Sequence, residues 1–144
     1  MDNRTVISLR NAAKFFHFEK LSAASSLEGF YCSIPEYNEY LMIDAVRSRN
    51  DHIALTWLLR DNKQRSVASY MSLITDSIKI STTEKELHLL NYPFKMIPAL
   101  KVAKLAVDES FSKKYKGIGT CMIEFAAFIA RSVIKFTLPA VFFP

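Results

Sequence analysis

Glycine is scarce in this chain, with three among 144 residues, and cysteine is scarcer still, with only Cys32 and Cys121. Two cysteines cannot build a disulfide framework, and their spacing fits no metal-ligand set. Long hydrophobic runs are missing as well. No stretch approaches the roughly 20 apolar residues of a membrane span. The N-terminus places Asp2, Arg4 and Arg10 around a short apolar run and shows neither a signal-peptide core nor a small-residue cleavage site. A cytoplasmic protein without a metal is the expectation. Repeats, linkers and low-complexity tracts are absent, so a single domain over residues 1–144 is expected. The formal charge of +5 and pI near 9.2 come from lysines and arginines spread along the chain. They suit a polyanionic ligand in general and identify none.

What is present is apolar and patterned. Half of the residues are hydrophobic, enough for a real core at this length. Thr5 to Leu9 reads as a strand. Asn11 onward, through Phe15, Phe16, Phe18 and Leu21, reads as a helix that frays into the serine-rich Ser22 to Ser26. Pro35 opens a second helix, with Glu36 and Glu39 in its early turns and Tyr37, Tyr40, Leu41 and Ala45 on one face. Ile53 to Leu59 and Ser66 to Ile74 are strand-like, and the polar Arg60 to Arg65 between them predicts a hairpin. Ser81 to Phe94 reads as a connection, helical around Glu84 to Leu89. A strand over Ala99 to Val107 follows Pro98, and a final strand is expected over Phe136 to Phe143. The resulting order, β-α-α-β-β-β-α-β, predicts an α/β (α+β) domain with a mostly antiparallel sheet flanked by helices.

The sharpest local signal is Lys114-Tyr115-Lys116-Gly117-Ile118-Gly119. Before it come the strand and an acidic turn, Asp108-Glu109-Ser110. After it, Ile118, Met122, Ile123, Phe125, Ala126, Ile129, Val133 and Ile134 recur at helical spacing. Two glycines at a helix start allow close backbone approach and leave the first N–H groups free for an anion. Lys113, Lys114 and Lys116 add positive charge. A phosphate or pyrophosphate is the natural ligand of such a loop, and a surface turn with solvated lysines is the competing reading.

This strand–loop–helix resembles the acyl-CoA-binding core of the GNAT superfamily of N-acetyltransferases, whose signature is Q/R-x-x-G-x-G/A after a strand ending in L-x-V. Leu105-Ala106-Val107 matches the strand end. Lys114 to Gly119 matches the signature, with Lys114 where Gln or Arg is usual. A second stretch, Phe30-Tyr31-Cys32-Ser33-Ile34-Pro35-Glu36-Tyr37-Asn38-Glu39-Tyr40-Leu41, resembles the F-x-C-G-x-x-x-L-N-x-F/Y-L segment of one subgroup. That subgroup is the acetyltransferase toxins of toxin–antitoxin modules. Ser33 replaces its Gly and Tyr37 its Leu. The resemblance runs from about Phe30 to Arg131.

It implies a GNAT-like fold and acetyl-CoA as co-substrate, with pantetheine beside Leu105, Ala106 and Val107. The pyrophosphate would lie at Lys114, Lys116, Gly117, Ile118, Gly119 and Thr120. Acetyl transfer would go to a primary amine, such as that of an aminoacyl-tRNA, with a small antitoxin protein as partner. Backbone at Ala106 and Val107 would polarise the thioester. Full GNAT domains continue with another helix and further strands, and the toxin-like subgroup carries there a tyrosine expected to protonate the leaving thiolate. The sequence stops at Pro144, so a C-terminally short relative is expected, with a homodimer formed through the apolar Phe136 to Phe143. Tyr70, Asp76, Glu84 and His88 are the remaining polar candidates for proton transfer. His17 and His52 have no partner pattern, and Cys32 and Cys121 read as packing. Three readings stay open: an N-acetyltransferase, a non-catalytic relative that at most binds CoA, and a basic RNA- or protein-binding module.

Overall fold

The computed structural model describes residues 2–79 and 96–137. Its centre is a four-stranded antiparallel sheet in the order β2-β3-β4-β5. These strands are β2 (Phe16–Lys20), β3 (Leu55–Asp61), β4 (Val67–Lys79) and β5 (Met96–Val107). The expected hairpin is β3–β4, with Leu55 opposite Leu73 and Leu58 opposite Tyr70. A second, parallel pair joins β1 (Thr5–Val6) to β6 (Tyr115–Lys116).

Helices cover both faces of the sheet, which is why its strands read as nearly continuous apolar runs. Pleating sends Leu58, Tyr70 and Ala106 to one face, where Leu21, Phe30, Cys32, Leu41 and Ala45 complete a core. The helical segment there comprises α1 (Pro35–Glu39), a π-helical turn over Tyr40–Asp44 and α2 (Ala45–Asn50). Leu59, Met71 and Leu73 point the other way, into a core with Phe111, Tyr115, Ile118, Cys121 and Met122. The helices of this face are α3 (Glu109–Lys114) and α4 (Ile118–Thr137). Phe125 of α4 stacks on Phe18 with ring centroids 3.7 Å apart. Each such buried apolar side chain contributes about 1.5–3 kcal/mol. The hydroxyls inside the sheet are all bonded: Tyr40 Oη meets Ser72 Oγ at 2.6 Å, and Ser72 meets Thr56 at 3.1 Å.

Three expectations are corrected. The helix predicted from Asn11 is a single 3-10 turn, Ala12–Lys14, followed by strand β2. Phe16 and Phe18 face α4 while Glu19 faces Arg60 on the opposite side. The alternation and the antiparallel pairing with β3 outweigh local helical spacing. The acidic turn is the cap and first turn of α3, so Lys113 and Lys114 occupy a helix end. Finally, Phe136 and Thr137 prolong α4 instead of opening a strand. The helix reaches Thr137 because the apolar spacing persists. The rest of that tail, together with Glu84 to Leu89, Pro93 and the candidates Glu84 and His88, lies outside the described residues.

Candidate functional site

The end of β5 and the start of α4 are joined by α3 and β6. Asp108 directly follows Val107, and its N–H donates to the Ala68 carbonyl at 2.8 Å. With Ser69 opposite Val107 and Tyr70 opposite Ala106, antiparallel alternation fixes which groups face which way. Ala106 turns its N–H and C=O toward β4, and its carbonyl also accepts the Ser69 hydroxyl at 2.7 Å. Leu105 and Val107 turn theirs to the other edge, which carries no strand among the described residues. The backbone at Val107, and not at Ala106, is therefore free to meet a ligand. A one-residue register shift lies upstream in the same pair, at Ser72/Leu73.

Asp108 is buried and caps α3. Its carboxylate accepts from the Ser110 N–H at 2.9 Å, the Ser110 hydroxyl, and the Phe111 N–H at 3.3 Å. It also reaches across the fold to the Tyr31 N–H at 2.9 Å, while the Glu109 N–H donates to the Tyr31 carbonyl at 2.9 Å. The next residue is clamped in the same two-way manner by Asn38, which accepts from the Cys32 N–H at 2.9 Å and donates to its carbonyl at 2.8 Å. Sequence reading passed over both side chains. The Asp–Glu start and Lys–Lys end of α3 do carry a capping signal; Asn38 stands at the asparagine of the toxin-like segment, which marks the position but not its bonds to Cys32.

The two loop glycines do different work. Gly117 has φ +90, and a Cβ there would lie 2.6 Å from the Ile7 carbonyl oxygen. Its carbonyl accepts the first bond of α4, from the Cys121 N–H at 2.9 Å. The N–H groups of Ile118, Gly119 and Thr120 thus have no partner within the helix. Gly119 has ordinary backbone, and a Cβ there would meet nothing within 4 Å. That open space before free N–H groups fits an anion. Ile7 donates its N–H to the Lys116 carbonyl at 2.7 Å, and the same parallel ladder turns the Lys116 N–H toward Thr5. Lys116 consequently offers its exposed side chain, with the ammonium 4.0 Å from the Asp2 carboxylate, rather than its backbone. Lys114 sits on α3 with its Nζ 5.4 Å from the Tyr115 ring centroid. The Ile118 side chain belongs to the core.

The proton-transfer candidates fare differently. Tyr70 is fully buried and donates its hydroxyl to the Tyr37 carbonyl at 2.7 Å. Burial, with smaller contributions from Cys32, Tyr40 and Tyr37, pushes its pKa well above the usual tyrosine range. Asp76 is exposed on β4, where its carboxylate accepts from the neighbouring Ser77 N–H. Cys121 is buried, and burial chiefly, with Glu124 adding, lifts its thiol to about 11. A cavity of about 640 Å³ opens among Trp57, Leu73, Leu100, Ile129 and the Arg49–Leu55 turn, sharing no residue with the glycine loop. Among the described residues, no cluster of His, Cys, Asp or Glu is placed to hold a metal ion, and no helix is long and apolar enough to cross a membrane.

No protein-family model and no curated protein matches the sequence. Solved structures do. AtaT complexed with acetyl-methionyl-tRNAfMet aligns at TM-score 0.72 and 22% identity, over 85% of this chain and 72% of that one. A tyrosine-to-phenylalanine mutant of KacT aligns at 0.70 and 17%, over 84% and 72%. AtaTR bound with AcCoA aligns at 0.68 and 22%, over 88% and 73%. AtaT is a toxin that has also been solved with the C-terminus of its antitoxin AtaR, and this chain has the GNAT fold that it shares with AtaT and KacT.

Proposed function

We propose that the chain binds acetyl-CoA and is an N-acetyltransferase of the toxin type. One observation carries the reading: a strand end with outward N–H groups leads, through a fixed connector, to a helix start whose first N–H groups have no partner within the helix and where a Cβ at Gly119 would meet nothing within 4 Å. The pyrophosphate would accept from the N–H groups of Gly117, Ile118, Gly119 and Thr120, with the Lys114 and Lys116 ammoniums nearby. Pantetheine would run beside Leu105, Ala106 and Val107. The likeness of the fold to AtaTR bound with AcCoA supports this assignment.

Bound acetyl-CoA supplies an activated acetyl thioester. The chain's own contribution is to hold it and to aim the Val107 N–H where charge builds on the carbonyl oxygen. A neutral primary amine then forms the new N–C bond as the C–S bond breaks. The acylated nitrogen gives up one proton to water, and water returns one to the departing thiolate, so that amide and CoA thiol are the products. Tyr70 does neither proton step, because its hydroxyl is committed within the core. By likeness to AtaT, solved in complex with acetyl-methionyl-tRNAfMet and with the C-terminus of the antitoxin AtaR, the amine is that of an aminoacyl-tRNA and a small antitoxin is the partner. The net charge of +5 accords with both.

Titration calorimetry with CoA tests the reading on Gly119→Asp. A carboxylate in the open space repels the anion without touching the fold, so CoA binding should vanish. Equal affinities of wild type and variant overturn the assignment.

A further inference from the structure

Asp108 stands between the two halves of the candidate site. One half is the strand end at Val107, which would meet the thioester arm. The other is the helix start at Gly117 to Thr120, which would hold the phosphates. A bound CoA molecule spans both, and its covalent length fixes how far apart they must be held. The connector has two anchors. At its far end Ile7 grips β6, through its N–H to the Lys116 carbonyl and its carbonyl against Gly117. At its near end the Asp108 side chain ties the first turn of α3 to the Tyr31 backbone, while farther along the helix the Arg4 guanidinium donates to the Ser112 carbonyl at 3.3 Å. Asp108 Oδ1 takes the Ser110 and Phe111 donors and its Oδ2 takes the Tyr31 N–H. The Glu109 N–H returns to the Tyr31 carbonyl. The carboxylate is therefore the joint at which strand turns into helix, and it pins that joint to the Phe30–Cys32 segment and through Asn38 to α1.

We infer that Asp108 is a positioning residue that sets the register between the Val107 edge and the phosphate-binding helix start, so that both can engage one acyl-CoA molecule. The inference rests on the acyl-CoA reading. Asp108 touches no ligand in this arrangement; it acts through the backbone it holds. Removing the carboxylate loosens the near end of the connector, which keeps only the backbone bonds of Asp108 to Ala68 and of Glu109 to Tyr31, while the far end stays held by Ile7. The helix start then keeps its own affinity for phosphates, and the strand end loses its alignment with it.

The test compares two probes on the purified full chain: CoA, which needs both halves, and adenosine 3′-phosphate 5′-diphosphate, which keeps the pyrophosphate and lacks the pantetheine arm. Calorimetry on Asp108→Ala should show CoA affinity reduced by about tenfold or more, with affinity for the nucleotide changed by less than about twofold. Asp108→Asn retains an acceptor for Ser110 but presents an amide to the Tyr31 N–H, and should fall between wild type and Asp108→Ala. It also supplies the measurement if Asp108→Ala does not fold. A merely stabilising residue would lower the melting temperature and leave the ratio of the two affinities alone. Parallel loss of both ligands, or no loss of either, overturns the inference and leaves the acyl-CoA reading standing. A wild-type chain that binds neither probe overturns that reading and the inference with it.

Discussion

The carbonyl oxygen of Ile7 occupies the place where a side chain at Gly117 would begin, 2.6 Å from the ideal Cβ position. Ile7 also bonds Lys116 through its N–H, so the N-terminal strand locks the glycine loop from behind. In sequence the two glycines of the loop look equivalent; in the fold only Gly117 is sterically obligatory.

Gly117→Ala should therefore destabilise the protein by about 2–4 kcal/mol, from the positive φ together with the clash against backbone that cannot yield. Gly119→Ala, in open space with ordinary helical backbone, should be neutral or stabilise by up to about 1 kcal/mol. Urea unfolding of the two variants checks this. Similar midpoints would mean that Ile7 does not press on the loop.

Tyr70→Phe removes the hydroxyl that donates to the Tyr37 carbonyl and leaves the ring packed against Phe30 and Tyr40. The expected cost is about 1 kcal/mol of stability, with CoA affinity as in the wild type. Chemical denaturation and calorimetry on the same sample decide it. A loss of CoA binding with unchanged stability would return Tyr70 to the functional site.

Alkaline stability should report on Cys121. Its thiol rises from 9.0 to about 11 in the folded chain, mainly through burial. Above pH 9 the unfolded chain ionises this thiol while the folded chain keeps the proton. The contribution is thus complete below pH 9 and is lost as pH climbs toward 11, by on the order of 2 kcal/mol across that window. Cys121→Ala should flatten the fall between pH 9 and pH 10. Wild type and variant that lose stability in parallel there would contradict the burial of the thiol.

Much of the site was legible because it is local. Strand, glycine loop and amphipathic helix follow one another within the last third of the chain, and each has its own composition cue. The Pro35 helix and the β3–β4 hairpin were legible for the same reason. β2 was not. Phe15, Phe16, Phe18 and Leu21 fit a helical face on spacing alone, and only the partner strand, some forty residues away, makes Phe16 and Phe18 alternate. Ala106 was expected to share the polarising role with Val107. Which of two adjacent residues faces an edge depends on ladder phase, which no single strand encodes.

The sequence by itself determined that a glycine-led helix start follows a strand, since glycine placement and apolar periodicity act within a few residues of one another. Tertiary structure alone decided how that start is held: Ile7 behind Gly117, Asp108 bound to Tyr31, and Tyr70 withdrawn into the core. These partners are separated by 110, 77 and 33 residues along the chain. Contacts of that range leave no periodic trace, because the chain between them is free to vary so long as the fold brings the same atoms together.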